Sequence, residues 1–287
     1  MKIGKPLIIN LACTGVLPTR AMNPHVPLSH DEIINDVARC LELGVQIIHL
    51  HARDANGVHT SNPEPYGRLI EAIRKLPGGR ESLLCVTTSG RKDPHPEARM
   101  RVLDLDGNMK PDMASLTPGS LNFRQSVGLN PPDTIRRIAA RMQERGIRPE
   151  LEVFDLGMAN FARVLLKEGL ITPPLYVNVI LGNVASAQVD ALQFSAILAT
   201  LPGDCIVSVG GIGSGQLAAN GLGLLFADGV RCGLEDNLWQ DATRTQPASN
   251  EALIRRMLRL AQEFERTPMP RPALQKIFGG NYYGQPS

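Results

Sequence analysis

Eight short apolar runs alternate with longer amphipathic segments along this chain, and that alternation leaves few folds open to it. The runs PLIINLAC, VQIIHLHAR, SLLCVTTSG, MASLTPGS, PELEVFD, LYVNVILG, CIVSVGG and GVRCGLED read as strands. They are apolar on both faces, as strands of a helix-covered parallel sheet should be. Between them the apolar spacing lengthens to a helical period. Ser29-His30-Asp31-Glu32 is a capping signal ahead of IINDVARCLELG, which Gly44 closes. YGRLIEAIRKL follows a Pro-Glu-Pro start, and NPPDTIRRIAARMQERG has a Pro-Pro-Asp start and a Gly146 exit. FARVLLKEG, VDALQFSAILATLPG, QLAANGLGLLFADG and EALIRRMLRLAQEFE complete the helical set. This arithmetic predicts an α/β fold, a (β/α)8 TIM barrel, whose usual length is roughly 250 residues. The competitor is a doubly wound open sheet, which fits less well because no GxGxxG follows the first strand. No linker or repeat divides the chain, so residues 1–287 read as one barrel domain, with the proline-rich stretch 266–287 as a C-terminal arm that could cross a neighbouring subunit.

A hydrophobic content of 43% is enough for a full core. Thirty basic against 28 acidic residues leave a net charge of +2 with no long run of either sign. A nucleic-acid footprint needs a basic stripe, so none is expected. Aromatic residues, at 4%, are too scarce for base-stacking platforms. No apolar run reaches the roughly 18 residues of a membrane span. The N-terminal MKIGKPLIINLACTG has lysines before an apolar run, but Asn10 interrupts it and no small-x-small cleavage site follows, so it reads as a first strand. Cys13, Cys40, Cys85, Cys205 and Cys232 are widely spaced, odd in number and form no CxxC pair, which fits a reduced, cytoplasmic protein.

In such a barrel the reacting groups sit at the C-terminal ends of the strands, so polar residues interrupting the strands there are informative. In IIHLHARD, alternation puts His49 and His51 on one face with Ile47, and Ile48 and Leu50 on the other. Two neutral imidazoles on a rigid strand suit a divalent metal such as zinc; an isolated HxH is also found without one. In VRCGLEDN, Arg231, Gly233 and Glu235 share a face that the glycine opens, and Asp236 falls where strand gives way to loop. Glu235 either completes a two-histidine, one-carboxylate site with an open position, or caps a loop or pairs with Arg231. Glu152, inside apolar LEVF, would be costly to bury unpaired. Arg231 is its expected partner, in a structural ion pair or in holding an acid–base group. Strand three ends in Thr87-Thr88-Ser89-Gly90, and strand four carries Ser115. The glycine-rich turn holding Gly211, Gly213 and Ser214 is either a backbone cradle for cofactor phosphate or a simple tight turn. Arg91 and Lys92 could hold anionic substrate or cofactor groups, while Arg99 and Arg101 read better as exposed charge. His25, His30, His59 and His95 have no partner by spacing, and Trp239 either walls the pocket or packs in the core.

IIHLHARD, MASLTPGSLNF, PELEVFDLGM and GVRCGLEDN follow in this order over nearly the whole chain. With them the sequence resembles the β-keto acid cleavage enzymes, the family that includes 3-keto-5-aminohexanoate cleavage enzyme. The resemblance implies a zinc-dependent (β/α)8 barrel, usually a homotetramer, that converts a β-keto acid plus acetyl-CoA into acetoacetate and a new acyl-CoA. It implies His49, His51 and Glu235 as ligands of one Zn2+ per subunit, and Glu152, Arg231 and Asp236 as an acid–base trio. Thr88 stands near the family's strand-three serine, with Ser89 one step away, and Ser115 takes the place of a substrate-contacting threonine. A guanidinium stays protonated at ordinary pH, so Asp236 or Glu152 is expected to be the base and Arg231 the orienter. One departure concerns specificity. Leu17 falls where the aminohexanoate-cleaving member has a glutamate for the substrate ammonium, and Arg91 falls near a family glycine. Together they imply a β-keto acid with an uncharged or anionic side group. The rival readings are a class II aldolase-like lyase using the same metal without CoA, and a non-catalytic barrel that binds a metal or small ligand. The density of ionisable groups at the strand ends counts against the second.

Overall fold

Strand parity decides which side chains enter the barrel and which meet the helices. In the computed structural model, which describes residues 1–278, eight parallel strands close on themselves. They are β1 (Ile8–Ala12), β2 (Ile47–Leu50), β3 (Leu83–Val86), β4 (Met113–Leu116), β5 (Arg148–Val153), β6 (Leu175–Leu181), β7 (Cys205–Gly211) and β8 (Gly229–Cys232). Sequence neighbours are spatial neighbours throughout, and β8 pairs with β1 through Ile8–Gly229 and Asn10–Arg231. Closure excludes the open sheet. A short antiparallel pair, Leu121–Asn122 with Val127–Gly128, is inserted after β4.

The helices are α1 (His30–Glu42), α2 (Pro63–Ile73), α3 (Pro96–Met100), α4 (Pro132–Glu144), α5 (Leu156–Lys167), α6 (Ala191–Thr200), α7 (Gln216–Phe226), α8 (Asn250–Glu263) and α9 (Arg271–Phe278). The capping box before α1 forms as expected: Ser29 Oγ accepts from the Glu32 N–H, and the Glu32 carboxylate accepts from the Ser29 N–H. Gly44 then leaves the helix at φ +90°. α5 starts earlier than its apolar pattern, because the Asp155 side chain caps the Met158 N–H.

Outward-facing Leu7, Ile9, Leu11, Ile48, Leu50, Leu84 and Val86 pack in one apolar layer against the helices. Inward-facing Ile8, Ile47, Leu83, Cys85, Met113 and Tyr176 form a second cluster inside the barrel, closed by Leu274 and Phe278 of α9. Those two residues are four apart, so they share one helix face that must be buried. Phe278 meets Tyr176 edge-on with ring centroids 5.7 Å apart, and Leu7 bridges to Pro268. The stretch read as an arm is therefore, as far as Phe278, a plug on its own barrel. Residues 279–287 of that arm lie outside the described residues. Nearer the strands' C-terminal ends the interior turns polar, with Asn10, His49, Glu150, Asn178, Ser208 and Arg231 all buried. Among the described residues no helix is long and apolar enough to cross a membrane, and all five cysteines are free.

Candidate active site

A cavity of about 540 Å³ opens where the strands end, and His49, His51, Glu152, Arg231, Glu235 and Asp236 all reach its wall. Parity brings the histidines there together, Ile47 lying in the inner cluster and Ile48 in the outer layer. The two Nε2 atoms face each other at 3.1 Å. His51 Nε2 lies 3.2 Å from Glu235 Oε1, and His49 Nε2 lies 3.8 Å from Glu235 Oε2. Ligands held 2.0–2.1 Å from one tetrahedral ion would stand ~3.3 Å apart, close to these separations. Glu235 Oε2 is buried with no hydrogen-bond partner. The donor set therefore fits a divalent cation.

Glu235 is placed by two glycines. Gly233 lets the end of β8 approach β1, since a Cβ there would stand 2.1 Å from the Ala12 carbonyl oxygen. The reason for this glycine is that close approach, rather than the opening of the cavity that sequence alone suggests. Gly15 adopts φ +72°, and a Cβ on it would meet Glu235 Cγ at 2.7 Å. Gly15→Ala is expected to cost about 1–3 kcal/mol through backbone strain and, by pushing Glu235 aside, to weaken metal binding roughly 10- to 100-fold. Denaturant midpoints and a metal-competition titration measure the two effects separately.

Arg231 is the electrostatic hub. Its Nη2 lies 3.0 Å from Glu235 Oε1, its Nη1 donates to Glu152 Oε1 at 3.1 Å, and its Nε donates to Asp236 Oδ2 at 2.9 Å. Burial pushes the Glu152 and Asp236 carboxyls up, with Arg231 pulling against it. Glu235 is held well below the usual carboxylate range: burial alone would raise it, but His51, Arg231 and His49 outweigh that. Burial lowers the His51 pKa, with the Glu235 carboxylate pulling against it. For His49 burial acts the same way, yet the carboxylates of Glu150 and Glu235 raise it to about 9. Four carboxyl groups thus converge on one guanidinium and two imidazoles, and two of them, Glu150 and Glu235, are held in the anionic direction beside the histidines.

Other expected contacts are placed differently. Thr88 Oγ1 donates to the Ser115 carbonyl at 2.6 Å, and Ser115 Oγ accepts from the Thr88 N–H at 3.1 Å. These two residues tie β4 to the end of β3, and the cavity is walled by Thr87 and Ser89 instead. Leu17, Arg91 and Trp239 do line it. Gly213 and Ser214 stand on its rim, whereas Gly211 serves packing, since a Cβ there would meet Ala219 Cβ at 2.7 Å. The turn is no open phosphate cradle: the N–H groups of Ile212, Gly213 and Gly215 go to the carbonyls of Leu181, Asp236 and Ile212. Arg99 is buried rather than exposed, with its Nη1 donating to Asn130 Oδ1. His59, read as a loop residue, lies against His51 with ring centroids 5.5 Å apart. Sequence reasoning missed Glu150, which meets His49 Nδ1 at 2.6 Å. The signal was available, since Glu150 and Glu152 are two apart on one strand and so share a face.

The fold and these side chains define a (β/α)8 barrel with a two-histidine, one-carboxylate constellation beside a buried arginine–carboxylate cluster. The family model described as beta-keto acid cleavage enzyme matches residues 6–279, and the chain belongs to that family. The 3-oxoadipate:acetyl-CoA acetyltransferase of Cupriavidus necator is 35% identical to it over 265 residues, covering 91% of this chain and 90% of that one. The 3-keto-5-aminohexanoate cleavage enzyme of Fusobacterium nucleatum subsp. nucleatum is 33% identical, covering 91% and 93%. ObcA, solved as a ternary complex with a C4-CoA adduct and oxalate, superposes with a TM-score of 0.74 at 18% identity, over 89% of this chain and 68% of that one. That last likeness is one of fold.

Proposed function

We propose that this protein exchanges acyl groups between a β-keto acid and acetyl-CoA, releasing acetoacetate and a new acyl-CoA, with one zinc ion per subunit held by His49, His51 and Glu235. The observation that carries this reading is the convergence of those three side chains and the Arg231 cluster on one cavity. Family membership supplies the reaction type. Bound zinc would polarise the keto acid's oxygens and so make its C2 proton acidic.

The chain's own groups supply the rest. Asp236 removes the C2 proton. Its Oδ2 is held by Arg231 Nε, while its Oδ1 has only a 3.5 Å approach from Nη2 and keeps a lone pair for the substrate. Burial raises the pKa of both Asp236 and Glu152, so the free oxygen is what distinguishes Asp236. Glu152 has both oxygens engaged, by Arg231 at 3.1 Å and by Thr117 Oγ1 at 3.0 Å, and therefore orients the guanidinium. Arg231 stays protonated and stabilises the developing oxyanions. The C2 carbanion attacks the acetyl carbonyl and CoA thiolate leaves. That thiolate then adds to the original ketone carbon, the bond from that carbon to C2 breaks, and C2 takes back a proton from Asp236 to give acetoacetate. Gly213 and Ser214 remain the rim contacts assigned to acetyl-CoA.

Leu17 and Arg91 select the side group. Arg91 is stacked 3.9 Å over the Phe123 ring, its Nε donates to Ser126 Oγ at 2.8 Å, and no carboxylate pairs with it among the described residues. An ammonium group finds no partner there, whereas an alkyl or anionic group does. In competition kinetics over short alkyl, dicarboxylic and amino β-keto acids, the amino compound should be the poorest substrate. Preference for it would end this assignment. Metal analysis of the purified protein and acetyl-CoA-dependent formation of acetoacetate test the whole reading. Consumption of β-keto acid without acetyl-CoA would instead fit the aldolase-like lyase, and no turnover with metal fully loaded would leave a binding barrel. The same reading expects a homotetramer by light scattering.

A further inference from the structure

The reaction as derived makes no use of Glu150, yet its burial demands an account. It lies one layer below Glu152, has no exposed surface and does not reach the cavity. A carboxylate taken out of water is strongly destabilised unless its lone pairs are satisfied. Here they are satisfied by four donors. Oε1 accepts from Asn10 Nδ2 at 2.6 Å and Asn178 Nδ2 at 2.7 Å; Oε2 meets His49 Nδ1 at 2.6 Å and accepts from Cys85 Sγ at 3.1 Å. Three of these four do not depend on the histidine, so the group is built as an anion. An anionic carboxylate only accepts. The proton between it and His49 therefore belongs to Nδ1, which leaves Nε2 as the nitrogen turned toward His51 and Glu235.

We infer that Glu150 is a positioning residue for the metal: it fixes the His49 tautomer and ring orientation that present a bare Nε2 to the ion. This rests on the metal reading above. Carboxylate partners of this kind raise the basicity of a ligating imidazole, and their loss typically weakens metal affinity by 10–100-fold. The barrel interior is organised to hold Glu150 in place, since Tyr176 Oη donates to Asn178 Oδ1 at 3.3 Å and lies 2.9 Å from Ser208 Oγ.

The test compares zinc affinity of the full-length wild type and Glu150→Gln, by competition with a chromophoric chelator, alongside the melting midpoint of each metal-free protein. The Asn10 and Asn178 amides hold the single oxygen of glutamine, which turns its NH2 toward Nδ1 and no longer keeps the proton there. The expected result is a zinc affinity lowered roughly 10- to 100-fold, with no further loss when the same substitution is made in His49→Ala. Equal affinity in Glu150→Gln, or the same loss in both backgrounds, overturns the inference. Should Glu150→Gln not fold, ¹⁵N-histidine spectra of zinc-loaded wild type decide: a proton on His49 Nδ1 with Nε2 metal-bound supports it, and a proton on Nε2 overturns it. A wild type that binds no zinc defeats the metal reading itself, which is a separate outcome.

Discussion

Replacing Arg231 by methionine should destabilise the metal-free protein by about 3–5 kcal/mol, the range for removing one partner of a buried ionic cluster. The side chain is buried and touches Glu152, Glu235 and Asp236 through three different nitrogens. Methionine of similar length fills much of the volume, so the loss reads charge rather than packing. It leaves those carboxylates facing one another with no guanidinium between them. Arg231→Lys restores the charge but not the planar fork; it should recover part of the stability and little of the turnover. Denaturation curves of the metal-free proteins decide. If the methionine variant is as stable as wild type, Glu152 and Asp236 carry protons in the native state, and the cluster is not an ion network.

How much of this was legible in the sequence follows from where alternation applies. The barrel, the His49–His51 pair and the Arg231–Glu235 face all lie on strands, where a period of two fixes direction. The same rule also fixes residues nearby. Counted from inward-facing Cys85 it puts Thr87 inside and Thr88 outside, and counted from Glu152 it puts Glu150 inside. Loops carry no such period. Hence the turn at Gly211–Ser214 looked like a phosphate cradle although the Ile212 and Gly213 amides are committed to the Leu181 and Asp236 carbonyls. Arg99, on the five-residue helix α3, looked like solvent-exposed charge and is buried, because so short a helix shows no readable apolar period. The plug made by α9 was hidden for a different reason. Leu274 and Phe278 show an apolar face, but only the closed barrel supplies the surface it covers.

Asp236→Asn should lower turnover by about 10²–10⁴-fold, the usual contribution of a positioned general base, while zinc content stays at the wild-type level. Asparagine keeps the shape and can still accept from Arg231 Nε, but it cannot take a proton from C2. Glu152→Gln should fall less, because Glu152 acts through the guanidinium and its two oxygens are already occupied by Thr117 and Arg231. The two roles separate in a partial reaction. Wild type and Glu152→Gln, given the β-keto acid in deuterated water without acetyl-CoA, should both exchange C2 hydrogen for deuterium, and Asp236→Asn should not. If Asp236→Asn exchanges at the wild-type rate and Glu152→Gln does not, the base is Glu152, and the open lone pair on Asp236 Oδ1 serves only to complete the ring of charge around Arg231.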